Sequence, residues 1–481
     1  MAASAPAGAP RAVPSGSILF RHISHLATLT EQGELKDAAV YINGNEIMWV
    51  GLDKDIPPAY LTAVTHSLEG CVMLPGLVNT HAHMFQSLTR CIAQDKQLHG
   101  WLKTLYPLWA KMTSDDLYVA TLLSLAELVM SGATCTSDHL YIFPNDCTLD
   151  DTIRAARDIG IRFHAVRGGM SAGVSKGGIA PDSCVEDEDD ILRDCERCIK
   201  EFHDTSRLSM LRIALGPSSQ KVVTDKLMAE CAALARRHDN VRLHTHLAEN
   251  QEDIVYSMKV HGCRFKDYIK KVGWDQGDCW FAHCCVLNDE EQALFASENI
   301  GIAHCPSSNT RLASGIAPVR RMLDVGINVG VGVDGAASND AQSILMETRL
   351  AMLLQRSGGD PSALTCREAL RMATYGGARN LGREKEIAAI APGFAADLVA
   401  WKVDDSLAFA GAGCDPLAAL LLCASCAGPV WLSCINGEVV VEARKLKTID
   451  VEDLIKRANA AAARLQAELT PEDRGAGGYT R

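Results

Sequence analysis

Short apolar runs alternate with amphipathic helical segments through the middle of the chain. The runs fall at residues 71–83, 134–142, 162–168, 211–219, 241–249, 279–285, 300–308 and 327–335. Helical periodicity separates them, for example at residues 114–130, 186–202, 225–237 and 289–297. Such alternation is typical of βα units and a parallel sheet. The pattern therefore predicts the fold class α/β, with a closed TIM-like (β/α)8 barrel over residues 71–390.

The two ends of the chain carry a strand-only pattern. Hairpin signals occur at Asn43-Gly44 and at Asn436-Gly437, and a further strand candidate lies at residues 397–403. Because the two ends resemble each other, we expect them to form one small β-sandwich domain. Its parts are residues 17–70 and 391–445, followed by a C-terminal helix and tail over residues 446–481.

Every predicted barrel strand ends in polar or ionisable residues, whereas core strands of a parallel sheet are normally apolar throughout. These residues are His81, His83, Asp138, His139, Arg167, Ser218, Ser219, His246, His283, His304 and Asp334. Barrel enzymes keep their active sites at the carboxyl ends of the strands. We therefore expect an active site at this end of the barrel.

Composition fits a globular protein and limits its partners. The chain has 47% hydrophobic and 22% charged residues, and its net charge is -12. This charge argues against a nucleic acid or an anionic membrane as partner. No apolar run reaches the roughly 18 residues that a membrane span needs. A small-molecule substrate is therefore expected, without nucleic acid or membrane.

The 18 cysteines are scattered through apolar segments, and no secretory signal precedes them. This favours buried thiols in a reducing, cytoplasmic compartment. The spacings Cys195/Cys198 and Cys423/Cys426 are interpreted as packing cysteines, not as a zinc or redox pair. Residues 1–16 are expected to be a disordered tail. Their lack of acidic residues leaves an organelle transit peptide as the alternative.

Two histidines close the first predicted strand and suggest a metal site. His81 and His83 are two residues apart, so in extended backbone both side chains point the same way. His246 and Asp334 stand at the ends of later strands. Zinc favours imidazole nitrogens with a carboxylate, and a catalytic site keeps one position open for water. These four residues predict one bound divalent metal.

Acid–base chemistry can be assigned beside this metal. His244 and His246 form a second histidine pair, and His246 is chosen as the ligand because Glu249 follows it by three residues. His244 is expected to be packed or to support a ligand. Glu249 and Asp334 suit the acid and base roles of a hydrolysis. His283 could hydrogen-bond the attacking oxygen or the developing oxyanion, its alternative being a core histidine.

Five segments resemble a known family. They are "PGLVNTHAH", "HTHLAE", "FAHC", "HCPSSNTRLASGIAPV" and "GVGVDGAASND". In this order they resemble the amidohydrolase superfamily, specifically its mononuclear deaminase and chlorohydrolase branch, over about residues 39–440. The resemblance implies a barrel that carries a β-sandwich made from both chain ends, and "PGFAADLVAW" resembles the usual return into that sandwich.

The resemblance also assigns roles. It implies one metal, usually zinc and sometimes iron, held by His81, His83, His246 and Asp334. Glu249 matches a proton shuttle, His283 the histidine on the oxyanion side, and Asp334 the base acting on water. The two-metal branch uses a lysine at the end of strand four, where this chain reads "LGPSS". One metal is therefore expected, and barrels of this kind often form homodimers.

Within the branch, the segments at residues 79–113 and 167–183 most resemble 8-oxoguanine deaminases. The implied reaction is hydrolytic deamination of 8-oxoguanine to urate and ammonia, a step of purine catabolism. The alternatives are an s-triazine hydrolase similar to hydroxydechloroatrazine ethylaminohydrolase, or an isoxanthopterin or guanine deaminase. The chain departs from the deaminases at residues 218–222, where "SSQKV" replaces a Phe-containing loop.

Three residues, one of them together with Tyr106, are predicted to bind the ring. Gln86 would read its amide edge, Trp109 with Tyr106 would stack on it, and Arg167 would pair with an anionic or carbonyl edge. Each has a structural alternative: a helix cap for Gln86, core packing for Trp109, and an ion pair for Arg167.

A non-catalytic barrel that acts as an interaction scaffold is the remaining alternative. Such members of the superfamily usually lose metal ligands, whereas this chain keeps all four together with both acid–base carboxylates. Stoichiometric metal in the purified protein would separate the enzyme from the scaffold.

Overall fold

The computed structural model describes residues 16–423, 428–470 and 473. Its strands are β1 (Ser17–Ala27), β2 (Glu34–Asn43), β3 (Glu46–Leu52), β4 (Val64–Ser67), β5 (Cys71–Pro75), β6 (Leu77–Asn79), β7 (Ala82–His83), β8 (Ala133–Leu140), β9 (Arg162–Gly169), β10 (Leu211–Pro217), β11 (Arg242–Leu247), β12 (Cys279–His283), β13 (Gly301–His304), β14 (Asn328–Val331), β15 (Asp334–Gly335), β16 (Leu398–Lys402), β17 (Leu432–Ile435), β18 (Glu438–Glu442) and β19 (Lys445–Leu446).

The helices are α1 (Leu98–Trp109), α2 (Ser114–Met130), α3 (Leu149–Ile159), α4 (Glu188–Phe202), α5 (Asp225–Ala235), α6 (Gln251–Val260), α7 (Phe265–Lys271), α8 (Asp289–Ser297), α9 (Pro306–Arg311), α10 (Val319–Asp324), α11 (Ile344–Arg356), α12 (Cys366–Arg371), α13 (Gly377–Asn380), α14 (Pro416–Leu422) and α15 (Val451–Leu465).

Eight parallel strands close into a barrel in the order β10-β11-β12-β13-β14-β6-β8-β9. Each coincides with one of the eight predicted runs to within one residue at its ends or lies inside it, so the predicted barrel is confirmed. The ring closes where Val331 of β14 pairs with Asn79 of β6. Beyond this point β15 pairs with β7, which continues the first and last barrel strands towards their carboxyl ends. This extension positions the candidate site.

The predicted helices begin and end close to the expected residues. The helices at 114–130 and 289–297 have the predicted bounds, and each starts from a capping box, Thr113 with Asp116 and Asn288 with Glu291. The helix expected at residue 186 begins instead at Glu188. Asp187 accounts for the shift, because its side chain accepts a hydrogen bond from the N–H of Asp189 and so acts as the N-cap.

Strands from both chain ends join in one nine-stranded sheet, ordered β19-β18-β17-β16-β5-β1-β2-β3 with β4 beside β1. Buried apolar residues of both ends, among them Phe20, Val40, Leu398 and Leu432, form a separate core within it. The predicted β-sandwich domain from both chain ends is consistent with this sheet.

The two hairpin signals differ in outcome. Asn436 and Gly437 form the β17–β18 turn with φ values of 52 and 82 degrees, as a type I′ turn requires. At the first hairpin Asn43 is paired with Glu46, so the turn lies one residue later than predicted. Gly44, with φ of 59 degrees, supplies the left-handed conformation there.

A buried ion pair joins the barrel to the terminal sheet. Arg162 on β9 contacts Asp397, just before β16, with Nε and Oδ2 2.9 Å apart. The other carboxylate oxygen of Asp397 accepts a hydrogen bond from the N–H of Asn436 at 2.8 Å. Because every partner is buried and hydrogen-bonded, this pair fixes the sheet against the barrel wall.

Several further expectations concern the ends of the chain and the cysteines. The predicted C-terminal helix is present as α15, and Arg464 on it pairs with Asp116 of α2. Cys195 and Cys198 are buried on α4, as expected of packing cysteines, while Cys426 lies outside the described residues. Of the predicted tail 1–16, the structure describes only Gly16. Within the described parts of the chain, no helix is both long and apolar enough to cross a membrane.

Candidate active site

The carboxyl ends of the first and last barrel strands bring three predicted ligands together. Asp334 on β15 is paired with Ala82 on β7, between His81 and His83. The Oδ1 atom of Asp334 lies 3.3 Å from Nε2 of His81 and 3.6 Å from Nε2 of His83. The left-handed backbone of Asp334, with φ of 60 degrees, turns its carboxylate towards the two imidazoles.

His246 from β11 completes the group, with its Nε2 atom 2.9 Å from Nε2 of His83. The Nδ1–H of His83 donates to the carbonyl of His139 at 2.7 Å, and the Nδ1–H of His246 donates to the carbonyl of Ser218 at 2.6 Å. Burial lowers the pKa of both rings, so each is neutral and its Nε2 carries a lone pair. Two lone pairs that face each other repel, and a cation between them would remove this repulsion. The donor set therefore fits a divalent metal.

His244 fixes the third imidazole through a relay of hydrogen bonds. Its Nδ1–H donates to the carbonyl of Trp280 at 2.8 Å, and burial holds its pKa well below the ordinary value. Its Nε2 is therefore an acceptor, 2.7 Å from Nδ1 of His81. His81 must then carry its proton on Nδ1 and present a lone pair on Nε2 towards Asp334. The expectation that His244 supports a ligand agrees with this geometry.

Replacing His244 should weaken metal binding without removing a ligand. In His244→Phe the ring can still stack on Trp280, whose ring centre is 4.4 Å away, but His81 loses its acceptor. We expect metal affinity to fall by about 10- to 100-fold. Competitive titration with a metal chelator measures this directly. Unchanged affinity would show that the tautomer of His81 does not depend on His244.

Two buried groups on β8 were not predicted as ligands, and one of them, His139, belongs to the same cluster. His139 lies near His81, His83 and His246, and its Nε2–H donates to the carbonyl of Gly216 at 2.6 Å. Its Nδ1 atom has no hydrogen-bond partner among the described residues. Asp138 accepts the N–H of Met84 at 2.9 Å, and burial raises its pKa to about 7. The polar end of this strand was the sequence signal for both.

The predicted acid–base residues line the same cavity. Burial raises the pKa of Glu249, and its Oε1 accepts a hydrogen bond from the Ser314 hydroxyl at 3.1 Å. The Nδ1 atom of His283 lies 2.9 Å from Oδ1 of Asn309. Burial alone would lower the pKa of His283, but the carboxylates of Glu249 and Asp334 outweigh it and raise the pKa. Burial likewise opposes ionisation of Asp334, yet the surrounding histidines hold its pKa well below the ordinary value.

The cavity in front of these groups has a volume of about 350 Å³. Trp101, Tyr106 and Tyr141 supply aromatic lining, and residues 218–222, where the chain departs from the deaminases, form part of the wall. In this loop Lys221 forms an ion pair with Asp253, which also accepts the backbone N–H of Glu249 at 2.8 Å. The unusual loop is thus connected to Glu249.

Gln86 lies in the cavity wall as predicted. It is buried, and its Oε1 atom has no hydrogen-bond partner within the described part of the chain. Gly335 makes room for it, because a Cβ atom at that position would lie 1.9 Å from Oε1 of Gln86. The carboxamide therefore has a buried, unpaired acceptor packed beside Gly335 in the cavity wall.

The other two predicted ring-binding residues lie outside this cavity, contrary to prediction. Trp109 is fully buried behind Tyr106, and its Nε1–H donates to the Thr89 hydroxyl at 3.0 Å. Arg167 points towards the helix layer, where it pairs with Glu186 at 2.7 Å and with Asp194 at 2.6 Å. Trp109 is therefore a core residue and Arg167 forms structural ion pairs, which were the alternatives considered for them from the sequence.

Comparison with known proteins identifies the relatives of this fold and site. The model of the amidohydrolase family matches residues 72–439. The chain is 42% identical to 8-oxoguanine deaminase of Pseudomonas aeruginosa, over 85% of this chain and 91% of that protein. It is 32% identical to hydroxydechloroatrazine ethylaminohydrolase of Pseudomonas sp. (strain ADP), over 89% of this chain and 92% of that protein.

A solved structure is similar over nearly the whole chain. The zinc complex of atrazine chlorohydrolase from Arthrobacter aurescens TC1 superposes with a TM-score of 0.86 at 34% identity, covering 92% of this chain and 100% of that chain.

Proposed function

The chain belongs to the amidohydrolase family, whose deaminase relatives act on C–N bonds other than peptide bonds, and we propose that it deaminates 8-oxoguanine to urate and ammonia. The observation that carries the proposal is the set of facing imidazole lone pairs and one carboxylate at the end of a cavity that also presents Gln86. The proposed deamination is a hydrolysis: one water is consumed and one ammonia is released for each ring.

We infer that His81, His83, His246 and Asp334 hold one divalent metal, zinc or iron. Such an ion lowers the pKa of a bound water, so that a nucleophile is available near neutral pH. The protein would hold the ion in a preformed site, because hydrogen bonds to His244 and to the carbonyls of His139 and Ser218 fix the three rings.

Three side chains would move or stabilise charge during the reaction. Asp334 would accept a proton from the attacking water, and its low pKa keeps it ionised for this task. Glu249, whose pKa burial raises, would give its proton to a ring nitrogen and regain one from the added hydroxyl as the carbonyl forms. The proton held by Asp334 would pass to the departing amine. His283 would donate a hydrogen bond to the oxygen that adds to the ring carbon, while Asn309 orients it.

The cavity suits a flat ring. Its volume of about 350 Å³ falls in the range of small-molecule sites, and Trp101, Tyr106 and Tyr141 give it aromatic lining. These aromatic residues replace Trp109 in the proposed stacking role. The unpartnered Oε1 atom of Gln86 would accept a hydrogen bond from an N–H at the ring edge.

Gln86→Ala should reduce both rate and selectivity. A site that pairs with a ring N–H discriminates strongly against rings without it, because its own buried group is left unpaired. We expect kcat/KM for 8-oxoguanine to fall at least about tenfold, and the preference over guanine, adenine and cytosine to shrink. Steady-state kinetics on these four purified bases measures both effects. If Gln86→Ala keeps the same preference for 8-oxoguanine over the other bases, Gln86 does not take part in recognising the ring.

A triazine hydrolase is the second candidate. It is favoured by the similarity to hydroxydechloroatrazine ethylaminohydrolase and to the solved atrazine chlorohydrolase. The loop at residues 218–222, which lines the cavity, departs from the deaminases. A side-by-side assay of ammonia release from 8-oxoguanine, isoxanthopterin and amino-triazines separates the candidates. We expect 8-oxoguanine to have the highest kcat/KM. If kcat/KM for another ring exceeds that for 8-oxoguanine about tenfold or more, the substrate proposal is wrong.

A homodimer remains the expected oligomeric state.

A further inference from the structure

A buried carboxylate outside the cavity joins the two loops that follow the last barrel strands. Glu347 lies in the first turn of α11 and is 2% exposed. Its carboxylate accepts the N–H of Ser307 at 3.1 Å, the hydroxyl of Ser307, and the side-chain N–H of Asn339 at 2.9 Å. Ser307 follows β13 and Asn339 follows β15, so one side chain holds both loops.

The first loop orients His283. Ser307 and Asn309 both belong to the short helix α9. Asn309 contacts Nδ1 of His283 at 2.9 Å, and His283 itself has a left-handed backbone with φ of 73 degrees. A six-residue helix has little rigidity of its own. The position of Asn309 therefore depends on what holds the start of α9, where Glu347 binds Ser307 and Ser338 contacts Ser308.

The second loop orients Asp334. The amide group of Asn339 that donates to Glu347 also donates to the carbonyl of Val333 at 2.7 Å. Val333 directly precedes Asp334, whose φ of 60 degrees is unfavourable for a residue with a side chain. Such a conformation persists only where the surroundings impose it. The hydrogen bond from Asn339 is one of those constraints.

We infer that Glu347 is a positioning residue for the reaction: by holding Ser307 and Asn339, it sets the orientations of His283 and Asp334. Glu347 is not among the residues that line the cavity, so it acts only through these neighbours. The inference rests on the roles given to His283 and Asp334 under the proposed function.

Glu347→Gln tests this with almost no change in size. Ser307 N–H and the Asn339 side-chain N–H are both donors, and a carboxylate accepts from both. A carboxamide in either orientation turns an NH₂ group towards one of them, leaving that donor without an acceptor. We expect the loop on that side to shift and kcat to fall by about 10- to 100-fold. Because Gln86 is untouched, KM should stay within about threefold.

Glu291→Gln is the matched control. Glu291 is also buried in the first turn of the helix after a barrel strand, and it accepts N–H groups of Asn288, Arg264 and Phe265. None of these orients a reacting side chain. We expect a similar loss of melting temperature in both variants, but an unchanged kcat in Glu291→Gln. The assay uses excess zinc, and bound metal is counted in each protein.

The outcomes are distinct. A kcat for Glu347→Gln within about twofold of the parent, or an equal loss in both variants, would overturn the inference. If Glu347→Gln does not fold, Ser307→Ala decides, because it removes one donor and leaves the Glu347 side chain in place. In Ser307→Ala, kcat should still fall while KM stays constant. An unchanged kcat would overturn the inference. A parent protein that releases no ammonia would instead contradict the proposed function itself.

Discussion

His83→Ala is expected to purify with well below one metal ion per chain and to lose at least about 100-fold in kcat. The substitution removes one of the two Nε2 atoms that face each other at 2.9 Å, together with a partner of Asp334. The remaining imidazoles lie on different strands and cannot close around a cation in its place. Metal analysis of the desalted protein, followed by turnover in excess zinc, measures both effects.

His203→Ala provides the control for the loss of a hydrogen-bonded ring. His203 also carries hydrogen bonds on both nitrogens, from the N–H of Ile213 and to the carbonyl of Asp239, but it lines a different cavity from the metal ligands. This variant should keep its metal. If His83→Ala contained no metal and were fully active, the proposed catalytic metal site would be wrong.

Glu249→Gln is expected to keep the metal and to lose about 10²- to 10⁴-fold in kcat. Glu249 is not part of the ligand group, so its replacement leaves the lone pairs of His81, His83 and His246 unchanged. The carboxamide has a similar shape and can still accept from Ser314, but it cannot carry a proton. Parallel measurements of metal content and kcat separate proton transfer from metal binding.

Glu291→Gln again serves as the control, because it also replaces a carboxylate by a carboxamide, but on α8 and outside the cavity. Near-normal turnover in Glu249→Gln would show that another group beside the ring is the proton shuttle. His283 would then be the first candidate. Loss of metal in this variant would show that Glu249 contributes to the ligand set.

The fold was largely predictable because its patterns are local. Each barrel strand is a short apolar run with a polar end, and period-two alternation places His81 and His83 on one side. The turn at Asn436-Gly437 was also predictable, since both residues readily adopt left-handed backbone. The first hairpin was misplaced by one residue because Gly44 can occupy either position of such a turn.

The wrong predictions for Arg167 and Trp109 arose because the sequence does not show in which direction a side chain points. Arg167 follows a polar-end pattern identical to that of His246, yet its side chain points outward to Glu186 and Asp194. Trp109 occupies the buried side of α1, while Trp101 and Tyr106 on the same helix line the cavity. These differences depend on how α1 and α4 pack against the barrel.

The supporting hydrogen bonds were beyond sequence reasoning for a further reason. The relay from Trp280 through His244 to His81 joins three strands through a backbone carbonyl, which no residue type reveals. The same holds for Glu347, which meets Ser307 and Asn339 only after α11 has packed over both loops. Such contacts follow from tertiary structure alone.

The most direct test of the account is the stoichiometry of 8-oxoguanine turnover by metal-stripped and zinc-reconstituted protein. We predict that the reconstituted protein forms one urate and one ammonia per 8-oxoguanine consumed, that the stripped protein is inactive, and that zinc restores its activity. A folded, metal-loaded protein that releases no ammonia from 8-oxoguanine or any other amino-substituted heterocycle would contradict the account.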